Sequence, residues 1–154
     1  TEPVLASDLW AVAADLLHQA GDEKAAFAAY DSSLAYNPDN IGSLNNYAYY
    51  ISLQPGGDLQ KAERMSKKTI DAEPYNSTYL DTYAWILYRL GRTEEARTYI
   101  DRCLALEEEE SAELFDHAGD IYFALGRKAE AVGYPGPKTC STFPKTCSTF
   151  PGNM

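Results

Sequence analysis

Carboxylates and an imidazole follow one another at helical spacing late in the chain. Glu113, Asp116, His117 and Asp120 lie on roughly one face of a helix, because residues three and four apart are neighbours on a helix surface. Side chains of these types can ligate a divalent metal or transfer protons. The surrounding sequence supplies no cage and no outer ligands for such a site. We therefore interpret the group as a solvated acidic face and predict no metal site.

Asp15 and His18 form a similar pair, and the same interpretation applies to them. The two histidines lie in different segments, and no serine or cysteine nucleophile has an evident base. The phosphate-binding loop, the dinucleotide fingerprint and the HExxH motif are absent from the sequence. We predict that the chain is not an enzyme and needs no cofactor.

The three cysteines do not indicate a disulfide framework or a zinc site. Cys103, Cys140 and Cys147 are too few for the former, and they lack the paired CxxC spacing typical of the latter. We predict that Cys103 is a small core residue.

Composition and charge exclude two classes of partner. The formal net charge is −10, from 13 basic and 23 acidic residues, so binding to nucleic acid by counterion release is disfavoured. No apolar run reaches the roughly eighteen residues that a membrane-spanning helix needs. We predict protein or peptide partners, no nucleic acid and no membrane insertion. The sequence leaves the localisation open.

Two sets of landmarks repeat with one period along the chain. The glycines Gly21, Gly57, Gly91 and Gly126 are separated by 36, 34 and 35 residues, and Ala26, Ala62, Ala96 and Ala131 keep the same separations. Shared periods of this length are typical of helical repeat proteins. The glycines are predicted to end one helix of each unit and the alanines to lie in the next.

Apolar residues between these landmarks recur every three or four positions, which predicts helices. In the first unit the pattern consists of Leu9, Val12, Ala13, Leu16 and Leu17. Gly21 and Gly91 follow such patterns at the position where a left-handed helix cap forms without steric cost. Asp22 and Thr93 then begin the second helices.

The landmarks resemble the tetratricopeptide repeat (TPR) family, whose 34-residue pattern is W-x2-L-G-x2-Y, A-x3-F and P. The first unit supplies Trp10, Leu17, Gly21, Ala26, Tyr30 and Pro38. The resemblance implies an all-α, right-handed superhelical solenoid with three full repeats and a partial fourth. We assign residues 1–132 to this domain, with repeats at about 7–40, 41–76, 77–110 and 111–132. The segment QPGGD, residues 54–58, lengthens the turn of the second unit.

The resemblance also implies a concave groove lined by the first helix of each repeat, and it identifies inward-facing positions one by one. Tyr83 falls on the packed side, whereas Trp85 and Tyr88 fall on the groove side. Our candidate groove residues are Asp15, His18, Asn45, Tyr49, Asp81, Trp85, Tyr88, Arg89, Asp116, Asp120 and Phe123. Aromatic rings offer stacking and cation–π contacts, and carboxylates attract Lys and Arg. Arg89 is expected to be the groove's only cation.

These residues predict a noncatalytic scaffold or adaptor, from a bacterial protein, that binds a basic peptide with aromatic or other apolar anchors. Two alternatives remain. One is that the array positions substrates within a larger enzyme or secretion complex. The other is that it mainly associates with itself, as a homodimer formed through an open C-terminal end.

One family subtype is disfavoured by the groove positions. Repeats that bind the C-terminal carboxylate of chaperones use two lysines, two asparagines and an arginine. The corresponding residues here are Ala11, Asp15, Asn46, Thr78 and Thr82, of which Asn46 alone matches. An acidic groove would also repel a terminal carboxylate.

The segment 133–154 differs from the rest of the chain. It is rich in Pro, Ser and Thr, and it contains PKTCSTF twice in succession, so a non-native origin is as plausible as an evolved tail. We predict that Phe143 or Phe150 packs on the open end of the array, or that the segment with Lys138 and Lys145 lies in an acidic groove. A bond between Cys140 and Cys147 would require the segment to fold back.

Overall fold

The computed structural model describes residues 1–106 and 111–131, and for residues 128–131 it describes the backbone alone. The described residues form seven α-helices and no strand. The helices are α1 Glu2–Gln19, α2 Glu23–Tyr36, α3 Ile41–Leu53, α4 Leu59–Ala72, α5 Ser77–Arg89, α6 Thr93–Leu106 and α7 Ala112–Ala131. The chain divides into two compact units, unit 1 (residues 1–74) and unit 2 (residues 75–154).

Polar side chains determine where helices α2 to α5 begin. The residue before each helix accepts a hydrogen bond, through its side-chain oxygen, from the backbone N–H three positions later; these caps are Asp22, Asn40, Asp58 and Asn76. Such a cap satisfies an amide that lacks a partner inside the helix. The preceding helices α1 and α5 end before Gly21 and Gly91, whose φ angles of +83° and +79° confirm the predicted left-handed caps.

In unit 1, helix α1 packs on α2, α2 on α3 and α3 on α4. The core contains Ala26, Tyr30, Leu44, Ala48 and Ala62, of which all but Leu44 are fully buried. Buried hydroxyls join the first three helices: Ser33 Oγ donates to the carbonyl oxygen of Ser7 at 2.9 Å and lies 2.7 Å from Ser43 Oγ. These bonds satisfy polar groups that would otherwise be costly to bury.

In unit 2, helix α5 packs on α6, and both contact α7. Leu80, Ala84, Leu87, Ile100 and Ile121 fill the core. Tyr83 is 4 % exposed and Cys103 fully buried, so both predictions about packing are confirmed. The Cys103 thiol donates to the carbonyl oxygen of Ser77 at 3.1 Å.

Small residues at the repeated positions are buried as predicted. Ala26, Ala62 and Ala96, and also Ala48 and Ala84, are fully buried. A methyl group at these positions lets neighbouring helix backbones approach closely. The lengthened second turn is also confirmed, because residues 54–58 separate α3 from α4, whereas three residues separate α1 from α2 and α5 from α6.

The predicted turn at Gly126 is wrong. Helix α7 continues from Ala112 to Ala131 through this glycine, so the fourth unit has no turn there. The residues that follow the first and the fourth of the repeated glycines differ. Asp22 follows Gly21 and caps a new helix, whereas Gly126 is followed by Arg127 and Lys128, which have no acceptor and disfavour a helix N-terminus.

The apolar pattern of α1 does predict a helix, but much of its apolar face is not in the core. Leu9 is 62 % exposed, and Val12 and Leu16 are also exposed. The fully buried side chains of α1 are Ser7 and Ala14. Helix α1 therefore packs through its small residues and presents its large ones outward.

Several predictions lie outside the described residues. They concern the packing of Phe143 and Phe150, the groove contacts of Lys138 and Lys145, and the pairing of Cys140 with Cys147. Among the described helices, none is long and apolar enough to cross a bilayer.

Candidate functional site

The four candidate residues of unit 1 are engaged within that unit. Asp15 Oδ1 accepts hydrogen bonds from the hydroxyl of Tyr30 and, at 3.2 Å, from Asn46 Nδ2. Tyr30 is fully buried, and burial together with the Asp15 contact raises the pKa of its phenol. The hydroxyl therefore remains a donor, and Asp15 holds α1 against α2 and α3.

His18 contacts aromatic and acidic neighbours on two helices. Its ring stacks on that of Tyr50, with centroids 3.5 Å apart. Its Nδ1 lies 2.6 Å from Glu23 Oε1, a contact with the distance but not the geometry of a hydrogen bond. Asp15 and His18 thus have different partners and do not form a proton-transfer pair.

Asn45 and Tyr49 both lie on α3 but differ in exposure. Asn45 is 5 % exposed; its Nδ2 donates to Asn46 Oδ1 at 3.3 Å, and its own Oδ1 has no hydrogen-bond partner in the described part of the chain. Tyr49 is half-buried, with its ring 5.9 Å from that of Tyr50. Of these two residues, Tyr49 has the more accessible side chain.

In unit 2, a histidine of α7 joins two of the candidate residues on α5. His117 Nδ1 lies 2.9 Å from Asp81 Oδ1, and the His117 ring stacks on Trp85 at 4.4 Å between centroids. His117 is 6 % exposed. The buried imidazole thus pairs with Asp81 of α5, and in the described part of the chain the group Glu113, Asp116, His117 and Asp120 is not arranged to hold a metal ion.

Aromatic rings and arginines alternate beside this contact. The Trp85 ring lies 5.3 Å from Tyr88, and the guanidinium of Arg89 lies 5.9 Å from the Trp85 centroid. On α7, the Arg127 guanidinium lies 4.4 Å from the centroid of Phe123. These distances suit cation–π attraction.

Arg127 is a second cation beside a candidate groove ring, and the expectation that Arg89 would be the groove's only cation did not include it. The sequence signal for it was the four-residue spacing between Phe123 and Arg127, which places both on one helical face. The prediction had ended the helix at Gly126 and so had removed Arg127 from that face.

The exposed aromatic ring and the most accessible carboxylates of this surface lie on α7, whereas Arg89 is exposed on α5. Phe123 is 61 % exposed, Asp116 is exposed and Asp120 is half-buried. Burial raises the pKa of Asp120, an effect that the neighbouring Asp116 reinforces and His117 opposes. Burial and the Asp120 charge raise the pKa of Tyr88. The surface thus combines accessible carboxylates with aromatic rings.

The described residues contain a small cavity in unit 2 and no group that could hold a metal ion. Among these residues, no group of three or more His, Cys, Asp and Glu side chains is arranged to hold a metal ion. A cavity of about 160 Å³ in unit 2 lies between α5, α6 and the start of α7, where Asp81, Cys103 and Glu113 are among its lining residues. Its volume is below that of typical ligand pockets, which begin near 300 Å³.

Two segments of the chain match a known repeat family. The tetratricopeptide repeat family model matches residues 7–40 and 78–110. This chain belongs to the TPR family. The seven helices of the described residues and the solved TPR domains it resembles also establish an all-α helical repeat fold.

The TPR repeat-containing protein MJ1428 of Methanocaldococcus jannaschii is 30 % identical over 130 residues, which cover 76 % of this chain. The chain spans about a fifth of that protein, 22 % of its length. This relative is archaeal and lends no support to the expected bacterial source.

Two solved TPR domains show the same fold at low sequence identity. The first TPR of Spaghetti (RPAP3), bound to the HSP90 peptide SRMEEVD, superposes with a TM-score of 0.67 at 18 % identity, covering 79 % of this chain and 94 % of that one. The Sgt2 TPR domain from Aspergillus fumigatus has a TM-score of 0.68 at 17 % identity, covering 82 % and 81 %.

Proposed function

We propose that this TPR chain is a noncatalytic protein-interaction module. Its fold neighbours include a domain solved with a bound peptide, which supports peptide binding as the general role. We propose further that unit 2 binds a basic peptide segment with an aromatic or aliphatic anchor, along α5 and α7. We refer to Tyr88, Asp116, Asp120 and Phe123 as the α7 surface.

The observation that carries this proposal is the exposure of Phe123 beside two carboxylates. A phenylalanine that is 61 % exposed on a well-packed helix leaves most of its ring in water. Covering that ring with a ligand's apolar side chain would be favourable by roughly 25 cal/mol per Å² of apolar surface. Asp116 and Asp120, on the same helix, would attract Lys or Arg of that ligand.

Contacts inside the protein support the preference for a cation. Arg127 lies over the Phe123 ring and Arg89 over the Trp85 ring, so both ring faces already attract guanidinium groups. A peptide arginine could replace Arg127 over Phe123 while pairing with Asp120. The raised pKa of Asp120 predicts that such binding weakens on acidification, and at a higher pH than for an ordinary carboxylate.

A terminal carboxylate is a poor candidate ligand for this protein. The positions that clamp such a group in the family hold Ala11, Asp15, Asn46, Thr78 and Thr82 here. Moreover, Asn46 already donates to Asp15. The HSP90 peptide bound to the RPAP3 domain is therefore not the ligand class proposed for this chain.

Short synthetic peptides with Arg or Lys around one Phe or Leu test the proposal in fluorescence-anisotropy titrations. Phe123→Ala and Asp120→Asn should each weaken binding by roughly 5- to 30-fold. Tyr75→Ala is the matched control, because Tyr75 is a 79 % exposed aromatic residue of unit 2 outside the α7 surface. Binding by peptides with Glu in place of Arg and Lys, or equal losses in all three variants, would refute the proposal.

The four unit 1 residues, Asp15, His18, Asn45 and Tyr49, stay predicted groove residues. The Tyr49 side chain is half-buried, whereas that of Asn45 is buried. We therefore choose Tyr49→Ala as the unit 1 variant and expect it to affect peptide binding without unfolding the protein. The role of a substrate-positioning domain within a larger enzyme or secretion complex remains the second candidate. A gene that encodes this chain together with a catalytic domain would support that role.

A further inference from the structure

Large apolar side chains form an exposed line along α1, which we call the α1 stripe. Its members are Leu5, Leu9, Val12 and Leu16, which are 61 %, 62 %, 56 % and 59 % exposed. A helix advances about 100° per residue, so these four lie on one face, and the buried Ser7 and Ala14 lie on the opposite face. Nothing in the described part of the chain covers the stripe.

Contacts on the other side of α1 hold the stripe in place. Ser7 and Ser33 bond across the α1–α2 contact, and Asp15 bonds to Tyr30 and Asn46. Asp8, which borders the stripe, accepts from Asn40 Nδ2 at 3.0 Å. Asp8 and Asp15 are therefore engaged within their own unit, and the helix cannot rotate its leucines inward without breaking these bonds.

We propose that the α1 stripe is a homodimer interface, in which α1 of one copy packs antiparallel on α1 of a second copy. The spacing of its members, four, three and four residues, reads the same in both directions. About a two-fold axis, Leu5 of one copy meets Leu16 of the other, and Leu9 meets Val12. This is the self-complementarity that a two-fold interface requires, and the spacing is that of the seam of a coiled coil.

The small area of the stripe favours a weak dimer over a permanent one. Four such side chains expose on the order of 400 Å² per copy, which is within the range of the largest, often functional, apolar patch of a soluble monomer. Two copies would bury about 1,000 Å² in total once the neighbouring backbone is included, at the lower limit for specific association. We therefore expect a reversible dimer with a dissociation constant in the range of about 10 to 100 µM.

The charge of the chain predicts how salt acts on the dimer. Each copy has a formal net charge of −10, so two copies repel one another at long range. The stripe itself is uncharged. Added salt screens the repulsion without weakening the apolar contact, and dimerisation should therefore strengthen with ionic strength. Added salt would instead weaken the binding of a basic partner to the acidic surface.

Sedimentation equilibrium on the full chain, from about 5 to 500 µM and under reducing conditions, measures the dimer. Wild-type mass should rise reversibly towards that of two chains. Leu9→Glu should raise the dissociation constant by roughly 100-fold, because it puts a charge into the seam. The control Tyr75→Glu, at an exposed position in unit 2, should leave the dissociation constant unchanged. Circular dichroism verifies that each variant is folded.

A charge swap tests the antiparallel register. Leu5→Lys combined with Leu16→Glu places opposite charges against each other in both halves of an antiparallel pair and should retain measurable dimer. Leu5→Lys combined with Val12→Glu has the same net charge without that match, and it should be monomeric. Loss of dimer in both variants would overturn the antiparallel arrangement. A wild-type chain that stays monomeric throughout the concentration range, because its own tail or a different protein covers the stripe, would overturn the proposal.

Discussion

The hydrogen bond between Tyr30 and Asp15 allows a sharp test of whether a candidate groove residue is structural. Tyr30 is fully buried, and its hydroxyl donates to Asp15 Oδ1, which also accepts from Asn46. Asp15→Ala would leave the phenol buried without its acceptor, at a cost of about 1–3 kcal/mol. Tyr30→Phe removes the donor and leaves Asp15 with Asn46 and solvent, at a cost of about 0.5–1.5 kcal/mol.

The double mutant isolates the pair from other effects. Once Phe replaces Tyr30, Asp15→Ala leaves no orphaned hydroxyl, so its cost should fall and the coupling energy should be about 1–2 kcal/mol. Alanine also has a higher helix propensity than aspartate, but this gain enters both sides of the cycle and cancels. Urea unfolding followed by circular dichroism measures the four free energies of unfolding.

A matched control uses another carboxylate of α1. Asp8 accepts from Asn40 and does not contact Tyr30, so Asp8→Ala and Tyr30→Phe should be additive to within about 0.5 kcal/mol. A coupling below about 0.5 kcal/mol for Asp15 and Tyr30 would refute the assignment of Asp15 as a structural residue. Asp15 would then return to the set of residues available to a ligand.

Two further predictions concern single positions. Burial and the bond to Asp101 raise the pKa of Tyr122 to about 12, above its unfolded value of about 10. Its contribution to stability is therefore complete below about pH 10 and is lost between about pH 10 and 12, so Tyr122→Phe should flatten the pH dependence of the melting temperature in that window. If Tyr122→Phe leaves the pH dependence of the melting temperature unchanged, the contact between Tyr122 and Asp101 is contradicted. Gly57→Ala should be strongly destabilising, because its Cβ would lie 2.1 Å from the carbonyl oxygen of Ile51, whereas Gly126→Ala, with nothing within 4 Å, should stabilise α7 by about 0.5–1 kcal/mol. Thermal melts of both variants measure these changes in stability. Equal changes in melting temperature for the two variants would contradict the surroundings that the structure gives the two glycines.

What could be predicted from the sequence is local. The left-handed glycines Gly21 and Gly91, the Asp22 cap and the buried alanines all follow from backbone geometry within a few residues. The period of these signals was sufficient to predict the repeat. The turn at Gly126 failed because a glycine permits a turn but does not enforce one. No capping residue follows Gly126, and Arg127 and Lys128 favour continuation of the helix.

The burial of a helical face could not be predicted in the same way. Leu9 and Leu16 have the spacing of a buried face, yet exposure depends on whether another helix lies opposite, which one helix's sequence does not encode. The contact of His117 with Asp81 could not be predicted from the sequence of one helix either. It joins residues 36 positions apart, and the spacing along α7 had grouped His117 with the wrong carboxylates.

Equivalent positions of the repeats differ in what they can offer a ligand. At one position that the family pattern predicts to face inward, which Ser52 occupies in the second repeat, His18 is stacked on Tyr50, Ser52 is buried, Tyr88 is half-buried and Phe123 is 61 % exposed. A family pattern assigns all four to a groove, but a side chain that is already packed contributes to binding mainly by keeping its helix in place. Substitution of His18 should therefore change stability first, whereas substitution of Phe123 should change affinity with little effect on stability. We therefore expect the largest effects on peptide affinity from α7, whereas Asp15 and His18, which stay predicted groove residues, also stabilise the fold.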